Sequence, residues 1–264
     1  MKWAVLILAA LVVLALVAMG VGLWRTARLA DDIRARLDAV EPTTANPPAQ
    51  VRDWARRMGA TGAPARVILT QQAEIEMRPG AGFSPIPARQ VIALSAPGFL
   101  WQARQPLLGP IPAAQVIDSY AAGQGLLAVR ILGAIPVATA TGPEIDRAEE
   151  MRYLAELPWA PDAALLNPAL NWTVTETGFT VSLPSGASVD FELNDAGHMT
   201  TMRANGRPAT GPDGGFELLD WEGHFSDFTR MDGRLIPKRG EVGYIRDGTY
   251  TPYWRGEVTS WQVE

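Results

Sequence analysis

The chain of 264 residues contains no cysteine. That excludes a disulfide framework, a thiol nucleophile, an iron–sulfur cluster, Cys-ligated zinc and a lipid-modified N-terminal cysteine. Histidine is almost as scarce. His198 and His224 are the only two, far apart and without metal-ligand spacing, so no metal site or cofactor is expected. Lysine is confined to Lys2 and Lys238, and the formal net charge of −5 offers no basic footprint for a nucleic acid. Gly123-x-Gly125-x-x-Ala128 matches a dinucleotide fingerprint, but strand-like Leu126–Leu132 follows where a phosphate site needs a helix N-terminus. It reads as a turn between strands.

An apolar run opens the chain. Trp3 to Trp24 carries no ionisable side chain, and only Gly20 and Gly22 fall outside the apolar class. At ~1.5 Å rise per residue this helix is about 33 Å long, enough to cross a ~30 Å hydrocarbon core. Lys2 and Arg25 bracket it, and Trp3 and Trp24 stand where indoles favour the interface. Ala18-Met19-Gly20 resembles a signal-peptide cleavage site, but the run continues to Trp24, so an uncleaved single-pass anchor in the lipid bilayer is expected. Lys2 on one side and Arg25, Arg28, Arg34 and Arg36 on the other leave the side of the globular domain open.

With residues 1–25 as anchor, 26–62 divide into a juxtamembrane helix, a Pro-rich spacer and a short helix. In Arg25–Val40, Leu29, Ile33, Leu37 and Val40 recur at helical spacing, with Asp32–Arg36 an i,i+4 pair. Pro42, Pro47 and Pro48 make the next stretch extended, and Gln50–Met58 reads as a helix that docks Trp54. From residue 63 to 264 the pattern is an antiparallel β domain. Val67, Leu69, Gln71, Ala73, Ile75 and Met77 share the mostly apolar face of a long strand, opposite Thr70, Gln72, Glu74, Glu76 and Arg78. Further strands fall at Arg89–Ser95, Phe99–Gln105, Leu126–Leu132 and Ile135–Ala140, with Gly109-Pro110 among the breaks.

One helix, 143–157, interrupts the strands. Thr141 and Glu144 offer a capping box, Ala148, Met151, Leu154 and Ala155 form the buried stripe, and Asp146 and Glu150 point outward. Beyond it, turn signals at Gly178, Ser185-Gly186, Asp195-Ala196-Gly197, Asn205-Gly206, Asp213-Gly214, Asp232-Gly233 and Asp247-Gly248 predict a meander of hairpins. The fold class is therefore mainly β: a long-stranded, curved antiparallel sheet or half-open barrel with an inserted helix, preceded by a transmembrane helix.

Candidate functional residues come from the aromatics and the inserted helix. Phe99 and Trp101 share a strand face, as do Trp221 and Phe225, and Tyr250 and Trp254. Core packing accounts for such residues in a flat sheet; a strongly curved one leaves a concave face that its own side chains do not fill. Glu149, Arg152 and Glu156 line one edge of the helix's apolar stripe, where Arg152 is either a head-group clamp or part of a rim network seating the helix. A hydrolase built on His224, with Ser226 on its face and Asp227 opposite, is a lesser alternative, since no Gly-x-Ser-x-Gly elbow exists. No catalytic residue is assigned.

The block from Glu144 to Pro161 (EIDRAEEMRYLAELPWAP), with Asn171-Trp172, Met231–Pro237 (MDGRLIP) and Tyr253-Trp254, resembles an uncharacterised family of bacterial membrane-anchored proteins over roughly residues 50–264. The order of elements is more distantly similar to the half-open β-barrels that carry lipoproteins and lipids across the bacterial envelope. The resemblance implies a location in the bacterial cell membrane. The expected function is non-enzymatic binding of an apolar ligand or lipid on the concave sheet by Phe99, Trp101, Arg152, Trp221, Phe225 and Trp254. The alternative is an envelope scaffold or interaction protein.

Overall fold

The computed structural model describes residues 2–77, 80–108, 111–211 and 214–264. Arg78, the break at Gly109-Pro110 and Asp213 of the turn signal Asp213-Gly214 lie outside the described residues. Helix α1 (Lys2–Asp38) runs unbroken from the apolar segment into the juxtamembrane stretch, and α2 (Ala49–Arg57) follows the prolines. The first wing of strands is β1 (Arg66–Ile75), β2 (Ser84–Pro85), β3 (Ala88–Ala93), β4 (Phe99–Leu108), β5 (Ile111–Ala121), β6 (Gln124–Ile131) and β7 (Ile135–Ala140). Helix α3 (Pro143–Ala155), a 3-10 turn (Leu157–Trp159) and α4 (Ala163–Leu166) come next. The second wing is β8 (Asn171–Val174), β9 (Gly178–Ser182), β10 (Ser188–Leu193), β11 (Met199–Thr210), β12 (Phe216–Met231), β13 (Arg234–Arg246) and β14 (Thr249–Val263).

All these strands belong to one 14-stranded antiparallel sheet, ordered β7-β6-β5-β4-β3-β1-β14-β13-β12-β11-β10-β9-β8, with β2 beside β1. The chain walks outward from β1 to the β7 edge. It then crosses through α3 to the β8 edge and walks back until β14 lies against β1, Val67 opposite Val263. Helix α3 touches β5 and β6 on one wing and β10 and β11 on the other. Strands so far apart in the sheet reach one helix only if the sheet bends around it, so the domain is a half-open barrel with α3 on its concave side.

The sheet is covered on both faces. On the concave side Leu69, Ile92, Phe99 and Trp101 join Met151, Tyr153 and Leu154 of α3 in the main core. On the convex side the second half of α1 lays Ala30, Ile33 and Leu37 on Val91, Leu100, Ile117, Ala121 and Ala128. A strand buried on two faces loses the alternation that marks a half-exposed one. That is why β5, with Val116 and Ile117 both buried, carries no period-two signal and was not foreseen. The proline stretch is strapped to the domain: Ala45 donates to the Leu165 carbonyl at 2.8 Å, and the Thr43 hydroxyl bonds the Ser95 and Leu166 carbonyls.

Several local expectations are corrected. Asp32 pairs with Arg28, while Arg36 reaches Gln124 on the sheet, so the Asp32–Arg36 pair does not form. The Thr141 capping box is absent: Gly142 occupies the cap with φ 111°, and Pro143 begins α3 without a side-chain cap. Asn205-Gly206 is a bulge inside β11, between Ala204 and Arg207, and not a hairpin turn. Asp146 and Glu150 are not free surface groups. Asp146 accepts from the Gly125 amide at 2.6 Å and Glu150 from the Tyr120 hydroxyl at 2.6 Å, pinning α3 to the β5–β6 turn.

Asp162 ties the crossover to the segment before β1 and to β13 of the second wing. It is fully buried, accepts the Thr61 and Gly62 amides at 2.8 and 3.1 Å, and takes a forked pair from Arg234 at 3.0 and 3.1 Å. Removing one partner of such a buried pair strands the other charge. Asp162→Ala is expected to lower the unfolding free energy of the solubilised chain by roughly 3–5 kcal/mol in chemical denaturation; a loss below about 1 kcal/mol, the range of an exposed pair, would contradict the assignment.

Candidate functional site

Where α3 crosses the concave face it does not fill it. Between Ile145, Ala148 and Ala155 of the helix and strands from both wings lies a cavity of about 260 Å³. An apolar cavity of about 150 Å³ already admits a benzene-sized guest, so this one accommodates a longer hydrocarbon. Its walls are aromatic: Trp101 on β4, Trp221 and Phe225 on β12, Tyr244 on β13, Tyr253 and Trp254 on β14.

Packing fixes these rings. Trp159, just after α3, meets Phe225 edge-on at 5.3 Å and Trp254 at 6.4 Å, and its indole N–H bonds the Pro237 carbonyl at 2.8 Å. Gly240 permits this approach, since a Cβ there would lie 2.9 Å from the Trp159 ring. Trp101 donates to Gln71 at 3.0 Å, and Tyr244 stacks on Tyr253 at 5.1 Å.

A charged set occupies one side of this apolar space. Arg152 bridges Asp118 on β5 and Glu156 on its own helix (2.9 Å), while its guanidinium lies over Phe99 at 4.7 Å and Trp101 at 5.1 Å. Gln90 donates to Glu156. Arg207, placed by the β11 bulge, stacks on Trp221 at 4.5 Å, bonds the Tyr244 hydroxyl and approaches Glu149 at 3.8 Å. Both guanidiniums sit above their ordinary value: burial works against the charge, but Glu156, Asp118 and Glu149 outweigh it at Arg152, and Tyr244 and Tyr253 with Glu149 and Asp118 do so at Arg207. Burial pushes the Glu149 carboxyl well up from the carboxylate range, and the neighbouring Asp118 pushes it further against the pull of Arg207 and Arg152. Burial raises Glu156 as well, opposed by Arg152. Among the described residues, two buried N–H groups beside this set have no hydrogen-bond partner, Arg207 Nε and Trp221 Nε1, while the Glu149 and Asp118 carboxyls share a hydrogen bond.

Of the residues singled out by sequence, Trp101, Arg152, Trp221, Phe225 and Trp254 all line this cavity. Phe99 is fully buried beneath Arg152 and does not reach it. Tyr250 departs from Trp254's face: the register shift between Val242 and Gly243 turns it to His224 and Glu241 on the convex side. His224 itself meets Glu222 at 3.0 Å and the Tyr250 ring, away from the cavity. Sequence reasoning missed Arg207, Tyr244, Tyr253 and Asp118. The bulge signal Asn205-Gly206 was visible beside Arg207, but was read as a turn.

Residues 39–256 match the sequence profile of a family of unknown function, DUF6544. The chain belongs to that family. No curated protein matches it. Solved structures that this DUF6544 chain is similar to include a LolA superfamily protein from Nitrosomonas europaea, at TM-score 0.47 and 6% identity over 83% of this chain and 94% of that one. A DUF1329 family protein from Desulfovibrio piger gives TM-score 0.48 and 8% identity, again over 83% and 94%. A domain described as outer membrane lipoprotein-sorting, from Vibrio parahaemolyticus, gives 0.44 and 8% over 81% and 91%. At such distances the likeness bears on neither ligand nor mechanism.

The raised carboxyl at position 149 has a pH consequence. A folded-state pKa above the unfolded value of 4.5 favours the protonated fold, so stability is present below that value and is lost as pH rises through the folded pKa. Glu149→Gln removes the loss. Its melting temperature relative to the unsubstituted chain is expected to climb as pH rises above the unfolded value of 4.5 and to level off once the folded pKa is passed; a gap that is flat or shrinks with pH would refute the assignment.

Proposed function

We propose that this protein is a membrane-anchored, non-enzymatic module whose curved sheet holds an apolar ligand, with the hydrocarbon chain of a lipid as the best-fitting class. The observation that carries it is the aromatic cavity between α3 and the two wings, which the protein's own side chains leave unfilled. The charged set supports an amphiphile over a plain hydrocarbon. Arg207 and Trp221 both line this space and each carries a buried N–H without a partner among the described residues, a donor that an acceptor on the ligand would satisfy. Arg152 is held on four sides by protein groups, so it seats the helix and Arg207 is the better head-group contact.

Anchoring is supported by the first part of α1, whose most apolar window has mean hydropathy 3.1 and packs against nothing in the protein. The module would then sit at the surface of the bacterial cell membrane. Scaffold action remains the alternative, and the two separate cleanly.

Membranes carrying the full chain are fed a fatty acid bearing a photoactivatable group on its tail, and cross-linked peptides are mapped. Label is expected on concave-face peptides containing Trp101, Trp221 or Trp254. Val129→Phe, which fills the cavity from β6, should cut that label several-fold, while Val137→Phe on exposed β7 leaves it unchanged. Label confined to α1 in every variant would overturn ligand binding and leave the scaffold.

A further inference from the structure

The direction in which α1 leaves the domain can be read from its contacts. Thr26 bonds the Gly133 carbonyl at 2.8 Å, and Gly22 packs so closely on Ala134 that a Cβ would sit 2.7 Å away. Further along, Arg34 reaches Gln102, Leu37 lies on Gly98, and Asp38 pairs with Arg66. The helix therefore descends the convex face towards the β6–β7 turn, and its unpacked apolar part projects past that turn.

The same end of the sheet collects exposed apolar side chains. Ile131 and Ile135 flank the β6–β7 turn, Leu107 lies in the last two residues of β4, Met77 follows β1, and Phe216 and Leu218 fall in the first three residues of β12. Registration places them together: Ala114 opposes Ile131, Ile75 opposes Trp254 near the start of β14, and Thr210 opposes Phe216. Leu218 is 69% exposed and Leu107 59%. Among the described residues outside α1, the only other large apolar side chains this exposed are Val137, two residues from the same turn, and Val174 at the opposite end. Single exposed leucines are ordinary; their collection at one end is not. Met77 and Phe216 also line the cavity, so its mouth lies at this end.

We infer that this end of the sheet docks into the same bilayer that α1 spans, so that the cavity opens onto lipid and its ligand arrives from the membrane and not from water. A lipid surface is the occupant because the apolar tips are continuous with the anchor. Gly22 and Leu23 touch the very turn that Ile131 and Ile135 flank, which holds those side chains at the height where the helix meets the interface. The inference rests on the anchored reading given under Proposed function, and its test separates the two.

Absence of cysteine makes single labels straightforward. The full chain is reconstituted in vesicles of phosphatidylethanolamine and phosphatidylglycerol with an environment-sensitive fluorophore at Leu218→Cys, Ile135→Cys, Val174→Cys or Leu11→Cys. Labels at 218 and 135 are expected to shift to the blue, and a lipid-borne quencher should quench them several-fold more than the label at 174. If 218 and 135 behave like 174 while 11 is quenched by lipid, the anchor stands and docking is overturned. If 11 is not quenched by lipid either, the anchored reading itself fails. Tips shielded from a water-borne quencher yet untouched by the lipid-borne one would mean a protein partner covers them, which also overturns the inference.

Discussion

Contact of one helix with both wings of one sheet is the constraint from which the interior follows. Helix α3 touches strands separated by most of the sheet, and a surface that meets the same rod twice must wrap around it. Wrapping makes more concave wall than a helix of 13 residues covers, and small side chains such as Ala148 and Ala155 leave the gap open instead of closing it. Polar contacts fix α3 to the first wing through Asp146 on Gly125, Glu150 on Tyr120 and Arg152 on Asp118, and Glu149 faces Arg207 of the second.

The charged set is unusual for its depth more than for its pairs. Surface ion pairs contribute little to stability, and most of those here, such as Arg28–Asp32 and Arg203–Glu192, are of that kind. Arg152, Arg207, Glu149 and Glu156 are withdrawn from solvent and cannot be exchanged for water without cost. Three carboxyls surround two guanidiniums there, and burial together with Asp118 pushes Glu149 towards its protonated form.

Much of this architecture was legible in sequence, for definable reasons. Strands exposed on one face, such as β1 and β10, declare themselves by alternation, and tight turns at Asp232-Gly233 and Asp247-Gly248 announce hairpins through residues that tolerate positive φ. The inserted helix is evident from its formers and its prolines, expected over 143–157 and formed over Pro143–Ala155. What escaped depends on distant partners. The strand 111–121 lost its alternation because α1 covers the second face. Arg207 entered the cavity through a bulge, and Tyr250 left it through another. A register shift changes which face a residue occupies without changing its identity, so no local pattern betrays it.

The strand that begins the β domain lies in the middle of the sheet, and the strand beside it is the last, Val67 against Val263. The centre of the domain therefore cannot knit until nearly two hundred intervening residues have left the ribosome, by which time the leading segment has long been made. Two half-sheets with bare central edges must wait for each other, a slow and exposed mode of folding.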